Sequence, residues 1–542
     1  MITRFEMKRI HLLLLSLASG LLLAASWPEN GFAPMIFIAL VPLLFVQQYL
    51  GDHKKRGVFW YAWLAFITWN ALTTWWIWYS TDVGSILAIA LNSLFISVIF
   101  YLFHLSKVKL FQNQKGFIIL LFYWISWEYF HMNWDLTWSW LNLGNVFAST
   151  PTWIQWYEYT GALGGTAWVI MVNILVYHII KLAISKADKP LLILNRILLI
   201  LLLFVPMTIS FIMYEQYDEK EDPIEVVVVQ PNTDPYNEQY DLNPMLLLEK
   251  NLSLADQKVT KTTDFLVFPE STLYDGRRSI WESHLEASPL INELKNYVSA
   301  FPQLSIIIGA STYRELPKNE KPGHAARKFH NSDNYYYAYN TAFLIDTTSN
   351  IQVYHKSKLT PGVENMPSWG ILKPLEKMAI DLGGTIGSLG TDNDILVLTD
   401  VNSTKIASII CYESVYGEFV IKRIREGANI IFVITNDGWW GNTPGHRQHF
   451  LFSVLRAIET RRSIARSANT GISAFINQRG DVFQRTGYWE PAVISQQINA
   501  NDKLTYYVEN GDYIARVSVF ISVLVLLIAF VQGFLRKRKN LV

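Results

Sequence analysis

Long apolar stretches separated by short loops fill the first 214 residues, and a further stretch lies near the end of the chain. A helix needs about 20 apolar residues to cross a bilayer, and most of these stretches approach that length. The pattern therefore predicts seven membrane-spanning helices before residue 215 and an eighth after residue 513. The predicted spans cover residues 10–27, 33–50, 58–79, 84–105, 116–132, 161–184, 191–213 and 514–535.

The segment between the seventh and eighth stretches follows a different pattern. Short β-rich runs such as EVVVVQ (225–230) and NIIFVIT (429–435) alternate there with segments of helical periodicity such as 446–462. Near-continuous apolar strands that alternate with helices are typical of an α/β domain with buried sheets. We therefore predict a seven-helix transmembrane domain (1–214), an α/β domain (215–513), and an eighth transmembrane helix with a basic tail (514–542).

Positive charges are restricted to alternate loops. The N-terminus, the loops after the second, fourth and sixth stretches, and the tail RKRK (536–539) are basic, whereas loops 28–32, 80–83 and 133–160 contain no Lys or Arg. The positive-inside rule then places both termini in the cytoplasm, and seven crossings place the α/β domain on the opposite side. The basic start and the AAS sequence at 24–26 also fit a cleaved signal peptide, an alternative that leaves this side unchanged.

Composition agrees with a membrane protein. Hydrophobic residues make up 51% of the chain and charged residues 17%, which is more apolar than is usual for a soluble protein. The formal net charge of +1 indicates no nucleic-acid partner. Because the chain has one cysteine, it cannot form an internal disulfide.

That cysteine, Cys411, stands where the apolar run KIASIIC (405–411) meets a predicted helix. The positive end of a helix dipole favours a thiolate at such a position, which would suit a nucleophile. A buried structural cysteine is the alternative, because free cysteine behaves as a small apolar residue.

Two other predicted strands end on charged residues. Glu270 closes the run FLVFPE, and Lys356 closes the run IQVYHK. Functional groups gather at the carboxyl ends of strands in α/β sheets. A carboxylate there can take the proton of a thiol, and a lysine can stabilise the oxyanion of a tetrahedral intermediate. The alternatives are a helix cap for Glu270 and a surface charge for Lys356.

Three motifs, FPES (268–271), YHKSKLTPGVENMP (354–367) and CYES (411–414), occur in this order. They resemble the Glu–Lys–Cys triad motifs of the nitrilase (carbon–nitrogen hydrolase) superfamily. The whole chain, with seven predicted spans before the domain and one after it, resembles the apolipoprotein N-acyltransferase family. SWLNLGN (139–145) and TNDGWWG (435–441) are similar to further motifs of that family.

The resemblance implies an αββα sandwich for the α/β domain and the last step of bacterial lipoprotein maturation. The family moves a fatty acyl chain from a phospholipid, preferably phosphatidylethanolamine, to the diacylglyceryl-cysteine that begins an apolipoprotein. Cys411 would carry the chain as a thioester in a ping-pong mechanism, with Glu270 as general base and acid and Lys356 as oxyanion donor. No cofactor or metal is implied. We expect a monomer in the inner membrane with its catalytic domain in the periplasm.

Further site residues follow from the same resemblance. Glu364 would orient Lys356 or assist proton transfer, and Tyr412 and Glu413 would support the cysteine loop. The backbone N–H after the cysteine would be a second oxyanion donor. The resemblance also gives Tyr240 and Trp439 as candidate substrate-binding residues. The loops 271–285 and 360–372, which follow triad residues and are candidate lids, add Trp281 and Trp369.

The chain departs from the family pattern at three of its motifs. Lys358 stands where the family has His, Tyr240 where it has Trp, and His131 where it has Arg. These changes bear on the lipid-contact residues and leave the triad intact. Glu128 within the fifth stretch is costly in lipid, so we expect it to face a cavity or to pair with His131.

Two other functions stay open. A membrane-anchored amidase or nitrilase would use the same triad with water as acceptor, and a transporter or scaffold would have lost catalysis. The intact triad argues against lost catalysis, and eight spans argue against a small soluble substrate. His446 and His449 have the spacing of a metal-ligand pair, but we expect no metal because no cysteine or carboxylate cluster accompanies them in the sequence.

Overall fold

Helical and α/β elements form two separate groups in this chain. The computed structural model describes residues 6–185, 189–239, 241–275, 279–365, 388–392 and 394–539. The chain divides into two compact units. The first comprises Met1–Trp75, Ser85–Gln216 and Asn510–Val542, and the second comprises Trp76–Gly84 and Tyr217–Glu509.

The first unit is helical, and its helices coincide with the apolar stretches of the sequence. Apolar side chains such as Phe204 remain exposed along them, as a lipid-facing surface requires. Among the described residues, five helices are long and apolar enough to cross a membrane: Ala33–Asp52, Gly84–Phe111, Ala162–Ile184, Lys189–Gln216 and Tyr513–Leu535. Three further apolar helices are shorter, namely Arg9–Ala25, Val58–Thr74 and Ile118–His131.

Glu128 is buried inside the first unit and anchors an irregular segment there. Its Oε1 accepts hydrogen bonds from Trp124 Nε1 at 2.9 Å and from the backbone N–H of Leu143 at 2.8 Å. Its Oε2 accepts one from the Thr166 hydroxyl at 2.7 Å. His131 bonds to Asn92 instead, so the expected pair of Glu128 with His131 is wrong. The carboxylate thus holds the start of the turn Leu143–Ser149 against the helices Ile118–His131 and Ala162–Ile184.

The second unit contains the predicted α/β domain. Apolar runs of the sequence form its central strands, where Val, Ile and Phe dominate, as is usual for buried β-structure. The strands are β1 (Pro223–Gln230), β2 (Phe265–Val267), β3 (Ile280–Trp281), β4 (Ser305–Glu315), β5 (Arg327–Lys328), β6 (Tyr335–Ile345), β7 (Gln352–His355), β8 (Leu398–Thr399), β9 (Lys405–Ile410), β10 (Ile430–Thr435), β11 (Ile464–Ala468), β12 (Ala474–Ile476), β13 (Val482–Phe483) and β14 (Ala492–Asn499).

These strands form two sheets. The first has the order β14-β1-β2-β4-β6-β5, with β3 beside β4 and β7 beside β6, and the second has the order β13-β12-β11-β10-β9-β8. Strands β1, β2 and β4 run parallel, as do β9, β10 and β11. The sheets pack face to face: the rings of Phe265 and Phe432 lie 5.1 Å apart, and Ser467 donates to the Val229 carbonyl at 2.8 Å.

Helices cover the outer faces of both sheets. Pro244–Ala255 and Pro289–Ser299 bury leucines and valines against the first sheet, and each begins with proline, which suits a first helical turn. Gly417–Arg425 and Pro444–Thr460 pack on the second sheet. The four layers form an αββα sandwich, and the predicted α/β fold is confirmed for this unit.

Besides the two-residue strands β3, β5, β8 and β13, the sequence analysis missed β11 and β14, because their composition is unusual for strands. Strand β11 carries Arg466, which is fully buried against Asp437, so its sequence IARSA reads as polar. Strand β14 lies at the edge of the first sheet and is only partly buried, so its sequence AVISQQIN lacks a continuous apolar run.

Candidate active site

Three strand ends bring the predicted triad together in the second unit. Glu270 follows β2, Lys356 directly follows β7, and Cys411 directly follows β9. Strands β2 and β7 belong to the first sheet and β9 to the second, so the site draws on both layers. The three residues are 6%, 1% and 9% exposed respectively, which leaves little solvent to weaken their electrostatic interactions.

Lys356 lies between two carboxylates. Its Nζ is 3.2 Å from Glu270 Oε1 and 2.8 Å from Glu364 Oε1. Burial alone would lower the pKa of Lys356, but the charges of Glu270 and Glu364 outweigh it and raise that pKa well above its usual value. Burial would raise the pKa of Glu364, and the Lys356 charge lowers it instead. The two carboxylates therefore favour the ammonium form of Lys356, whose positive charge suits the stabilisation of an oxyanion.

Asn340, in the middle of β6, joins both glutamates and was missed by the sequence analysis. Its Nδ2 donates to Glu270 Oε1 at 2.6 Å and to Glu364 Oε1 at 3.1 Å. Its backbone carbonyl accepts from the Lys356 N–H at 2.8 Å. The signal available in the sequence is the amide that opens the apolar run NTAFLID, because a buried amide must find a partner.

Cys411 adopts a conformation that is uncommon for a residue other than glycine. Its φ is +50°, and it opens the short 3₁₀ helix Cys411–Val415 instead of an α-helix. Burial and the negative charge of Glu270 raise the pKa of the thiol well above its usual value, although Lys356 opposes them. The expected resting thiolate is therefore wrong, and attack requires a base to remove the thiol proton.

Glu413 connects the cysteine turn to the lysine loop. Its Oε2 accepts from the Ile410 N–H at 2.8 Å. Its Oε1 accepts from the Ser357 N–H at 2.7 Å and from the Tyr354 hydroxyl at 2.7 Å. One buried carboxylate thus fixes the spacing between the chain segments that carry Cys411 and Lys356. The neighbouring Tyr412 is also buried, with its ring 5.2 Å from that of Tyr416.

A hydrogen-bonded cluster lies behind the cysteine. The possible metal-ligand atoms of Cys411, Asp437 and His449 all lie within 4.8 Å of one another, a spacing at which a metal ion could be held. Arg466 places its guanidinium 2.8 Å from Asp437 Oδ2, and this positive charge opposes a bound cation. His446 does not join the cluster but stacks on Tyr488 at 4.2 Å. The cluster therefore fits a polar network better than a metal site.

Two of the four predicted substrate-binding residues, Trp281 and Trp439, lie beside other aromatic rings. Trp281 stacks on Phe329 at 5.5 Å, and Trp439 meets the ring of Tyr236 at 5.0 Å. Tyr240 and Trp369 lie outside the described residues.

The segment Trp76–Gly84 packs within this second unit, close to Trp439. The rings of Trp76 and Trp440 lie 4.9 Å apart, and Ser80 donates to the Trp439 carbonyl at 3.4 Å.

Comparisons with known proteins match both parts of the chain. A family model described as apolipoprotein N-acyltransferase N-terminal domain matches residues 19–175, and one described as carbon-nitrogen hydrolase matches residues 226–503. A protein of Chlorobaculum tepidum named apolipoprotein N-acyltransferase is 27% identical over 528 residues, which cover 96% of each chain. One of the same name from Geobacter metallireducens is 26% identical over 538 residues and 95% of each chain.

Among solved structures, the chain is similar to Nit3 of Saccharomyces cerevisiae, a member of the nitrilase superfamily. The TM-score is 0.36 at 14% identity, and the match covers 52% of this chain and 93% of that chain.

Proposed function

Because this chain belongs to the carbon–nitrogen hydrolase family, we propose that it uses the cysteine chemistry of that family to acylate the N-terminus of lipoproteins. The observation that carries the proposal is the buried pair of Lys356 and Glu270, whose charges both act on the thiol of Cys411. The chain that carries this site is also rich in apolar helices. The two full-length relatives named apolipoprotein N-acyltransferase support the same acyltransferase.

The first step loads the enzyme. Glu270 takes the proton of Cys411 as the sulfur attacks the ester carbonyl of a phospholipid, for which phosphatidylethanolamine is the donor we propose. Lys356 and the backbone N–H of Tyr412 stabilise the oxyanion of the tetrahedral intermediate. When the ester C–O bond breaks, Glu270 returns the proton to the leaving alcohol, which departs as a lysophospholipid. A thioester on Cys411 remains.

The second step discharges the acyl chain. The α-amine of the diacylglyceryl-cysteine attacks the thioester carbonyl and gives its proton to Glu270. The oxyanion forms again beside Lys356, the C–S bond breaks, and the proton passes from Glu270 to the Cys411 sulfur. The products are the N-acylated lipoprotein and the free thiol. Glu364 holds Lys356 in place during both steps, and Asn340 holds Glu270.

Membrane insertion suits substrates that carry long acyl chains. Extraction of a chain into water would cost about 0.8 kcal/mol per CH₂ group, which a site at the lipid surface avoids. We propose eight spans, formed by the five long helices together with Arg9–Ala25, Val58–Thr74 and Ile118–His131. The loop charges support an inner-membrane orientation with the second unit in the periplasm. Every proposed catalytic group comes from one chain, which is consistent with a monomer.

A reconstitution experiment tests the proposal. Purified protein in detergent micelles is incubated with phosphatidylethanolamine and a synthetic diacylated lipopeptide, and the products are weighed by mass spectrometry. We expect the lipopeptide to gain one acyl mass while a lysophospholipid appears. Release of free fatty acid or cleavage of an amide, without any gain of mass on the peptide, would indicate the hydrolase instead. No turnover of either lipid would contradict both enzymes.

A further inference from the structure

His449 is a buried histidine that the proposed chemistry does not use. It lies on the helix Pro444–Thr460, and its Nδ1 is 2.9 Å from Asp437 Oδ1. Its Nε2 is 3.0 Å from the carbonyl oxygen of Cys411 and 3.0 Å from Ser414 Oγ. The Arg466 guanidinium lies 3.1 Å from the same Nδ1. Because a carbonyl oxygen can only accept, Nε2 carries the proton that it shares with the Cys411 carbonyl.

Asp437 is held in turn as a carboxylate. Its Oδ2 accepts from the Arg466 guanidinium at 2.8 Å, and its Oδ1 accepts from the Thr435 hydroxyl at 2.7 Å. Burial would raise the pKa of Asp437, but the charges of Arg466 and His449 lower it well below its usual range. With its partner fixed in this way, the imidazole of His449 has one orientation.

The cysteine turn needs such support. The φ of +50° at Cys411 is costly for a side chain with a Cβ, so neighbouring groups must hold the turn. The Cys411 carbonyl accepts from the Ser414 hydroxyl at 2.8 Å as well as from His449. This carbonyl and the N–H of Tyr412 belong to one planar peptide and, in the trans form, point in opposite directions. Any group that fixes the carbonyl therefore also aims the N–H.

We propose, on the basis of the function proposed above, that His449 is a positioning residue for the oxyanion donor at Tyr412. Held by Asp437, it orients the peptide between Cys411 and Tyr412 so that the N–H meets the developing oxyanion. It takes no proton from the thiol, which is the role of Glu270. Its effect therefore falls on steps that form a tetrahedral oxyanion and not on the reactivity of the sulfur itself.

The single cysteine allows these two effects to be separated. Alkylation by iodoacetamide reports on Cys411 alone and forms no oxyanion, whereas acyl loading passes through one. In His449→Phe we expect acyl loading to fall about 100-fold, as when one oxyanion donor is lost. The rate of alkylation and its pH profile should stay at the wild-type values. His449→Gln keeps an N–H donor and should recover part of the loading rate.

His446→Phe is the matched control, because His446 lies on the same helix but stacks on Tyr488, and it should load at the wild-type rate. Normal loading in His449→Phe would overturn the inference. So would a shifted alkylation profile, or an equal loss of both rates, because the histidine would then act on the thiol or on folding.

Loading is measured with phosphatidylethanolamine as acyl donor. In parallel, it is measured as the initial burst of p-nitrophenol that a p-nitrophenyl ester releases when it acylates Cys411. Wild-type protein that reacts only with the ester would disprove the proposed function, and the effect of His449 would still be decided by the ester burst.

Discussion

The side-chain amide of Asn340 donates to Glu270 Oε1 across 2.6 Å, inside a site where neither residue is exposed. The same oxygen of Glu270, the proposed base, also accepts from the Lys356 ammonium at 3.2 Å, so it has one neutral and one charged donor. The hydrogen bond from Asn340 orients the carboxylate without adding a second positive charge. Proton transfer needs both properties, because the base must be aligned with the thiol and must still accept its proton.

Removal of this amide should slow acyl loading. Asn340→Ala leaves Lys356 as the remaining donor that the carboxylates of Glu270 and Glu364 share, and a hydrogen bond to a charged group contributes about 1.5–3 kcal/mol. We therefore expect the loading rate from phosphatidylethanolamine to fall by roughly 10- to 100-fold, measured by intact-protein mass spectrometry. Asn334→Ala removes an exposed amide that donates to Glu315 at 2.9 Å, and it should leave the rate unchanged. An unaffected rate in Asn340→Ala would show that the other contacts of Glu270 align it alone.

Substitution of the two lysines of the HKSK motif should affect acyl-transfer activity very differently. Lys356→Met removes the ammonium between Glu270 and Glu364, and we expect the loss of about 3 kcal/mol of transition-state stabilisation. Lys358 lies over the ring of Tyr416 at 5.2 Å, so Lys358→Met should retain most activity. Turnover of the lipopeptide, followed with time for both variants, decides between them. An inactive Lys358→Met together with an active Lys356→Met would show that Lys358, and not Lys356, stabilises the oxyanion.

The sequence predicted the strands that carry Glu270, Lys356 and Cys411 because their apolar runs are continuous and end on reactive side chains. It did not predict Asn340 or His449, since each acts through a partner far along the chain. Arg466 is a similar case. Its charge makes strand β11 look exposed in the sequence, and only the ion pair with Asp437 explains why the strand can be buried. The assignment of Trp76–Gly84 to the second unit also depends on a distant residue, Trp440.

A charged cluster next to the lysine should make stability depend on pH. His355 Nε2 lies 2.7 Å from Glu282 and Nδ1 lies 2.5 Å from Asp392, which Arg314 also contacts. Burial would lower the pKa of His355, but its bonds to Asp392 and Glu282 raise it above the usual value. Burial would raise the pKa of Asp392, and His355 and Arg314 lower it to about 2.

The raised pKa of His355 means that its stabilising effect is complete below its unfolded pKa of about 6.5 and is lost as the pH rises through the folded value. The effect of Asp392 is complete above about pH 4 and is lost as the pH falls towards its lowered pKa. His355→Gln should therefore reduce the melting temperature most between about pH 4.5 and 6, with a smaller reduction in alkaline buffer. Thermal unfolding over this range, with the exposed His330→Gln as control, measures the effect. A reduction that is the same at every pH would contradict it.

Labelling should place the two ends of the predicted topology on opposite sides. In a Cys411→Ala background, His330→Cys should react with a membrane-impermeant maleimide in intact spheroplasts, whereas Asn540→Cys should react only after lysis. The physical reason is the complete Lys and Arg asymmetry of the short loops. Labelling of position 540 but not of position 330 in intact spheroplasts would reverse the orientation.

Cys411 itself provides the most direct test of the proposed intermediate. Wild-type protein mixed with phospholipid alone should gain one acyl mass, and hydroxylamine should remove it, because a thioester is far more reactive to amines than an ester or amide. Cys411→Ser should fold and insert but lose transfer, since a hydroxyl is a much weaker acid than a thiol and gives up its proton to Glu270 less readily, which makes it the poorer nucleophile. Glu270→Gln should fail to load, because the raised pKa of the thiol leaves it protonated without a base. Peptide mapping of the acyl mass to another residue, or wild-type transfer by Cys411→Ser, would show that the cysteine only packs.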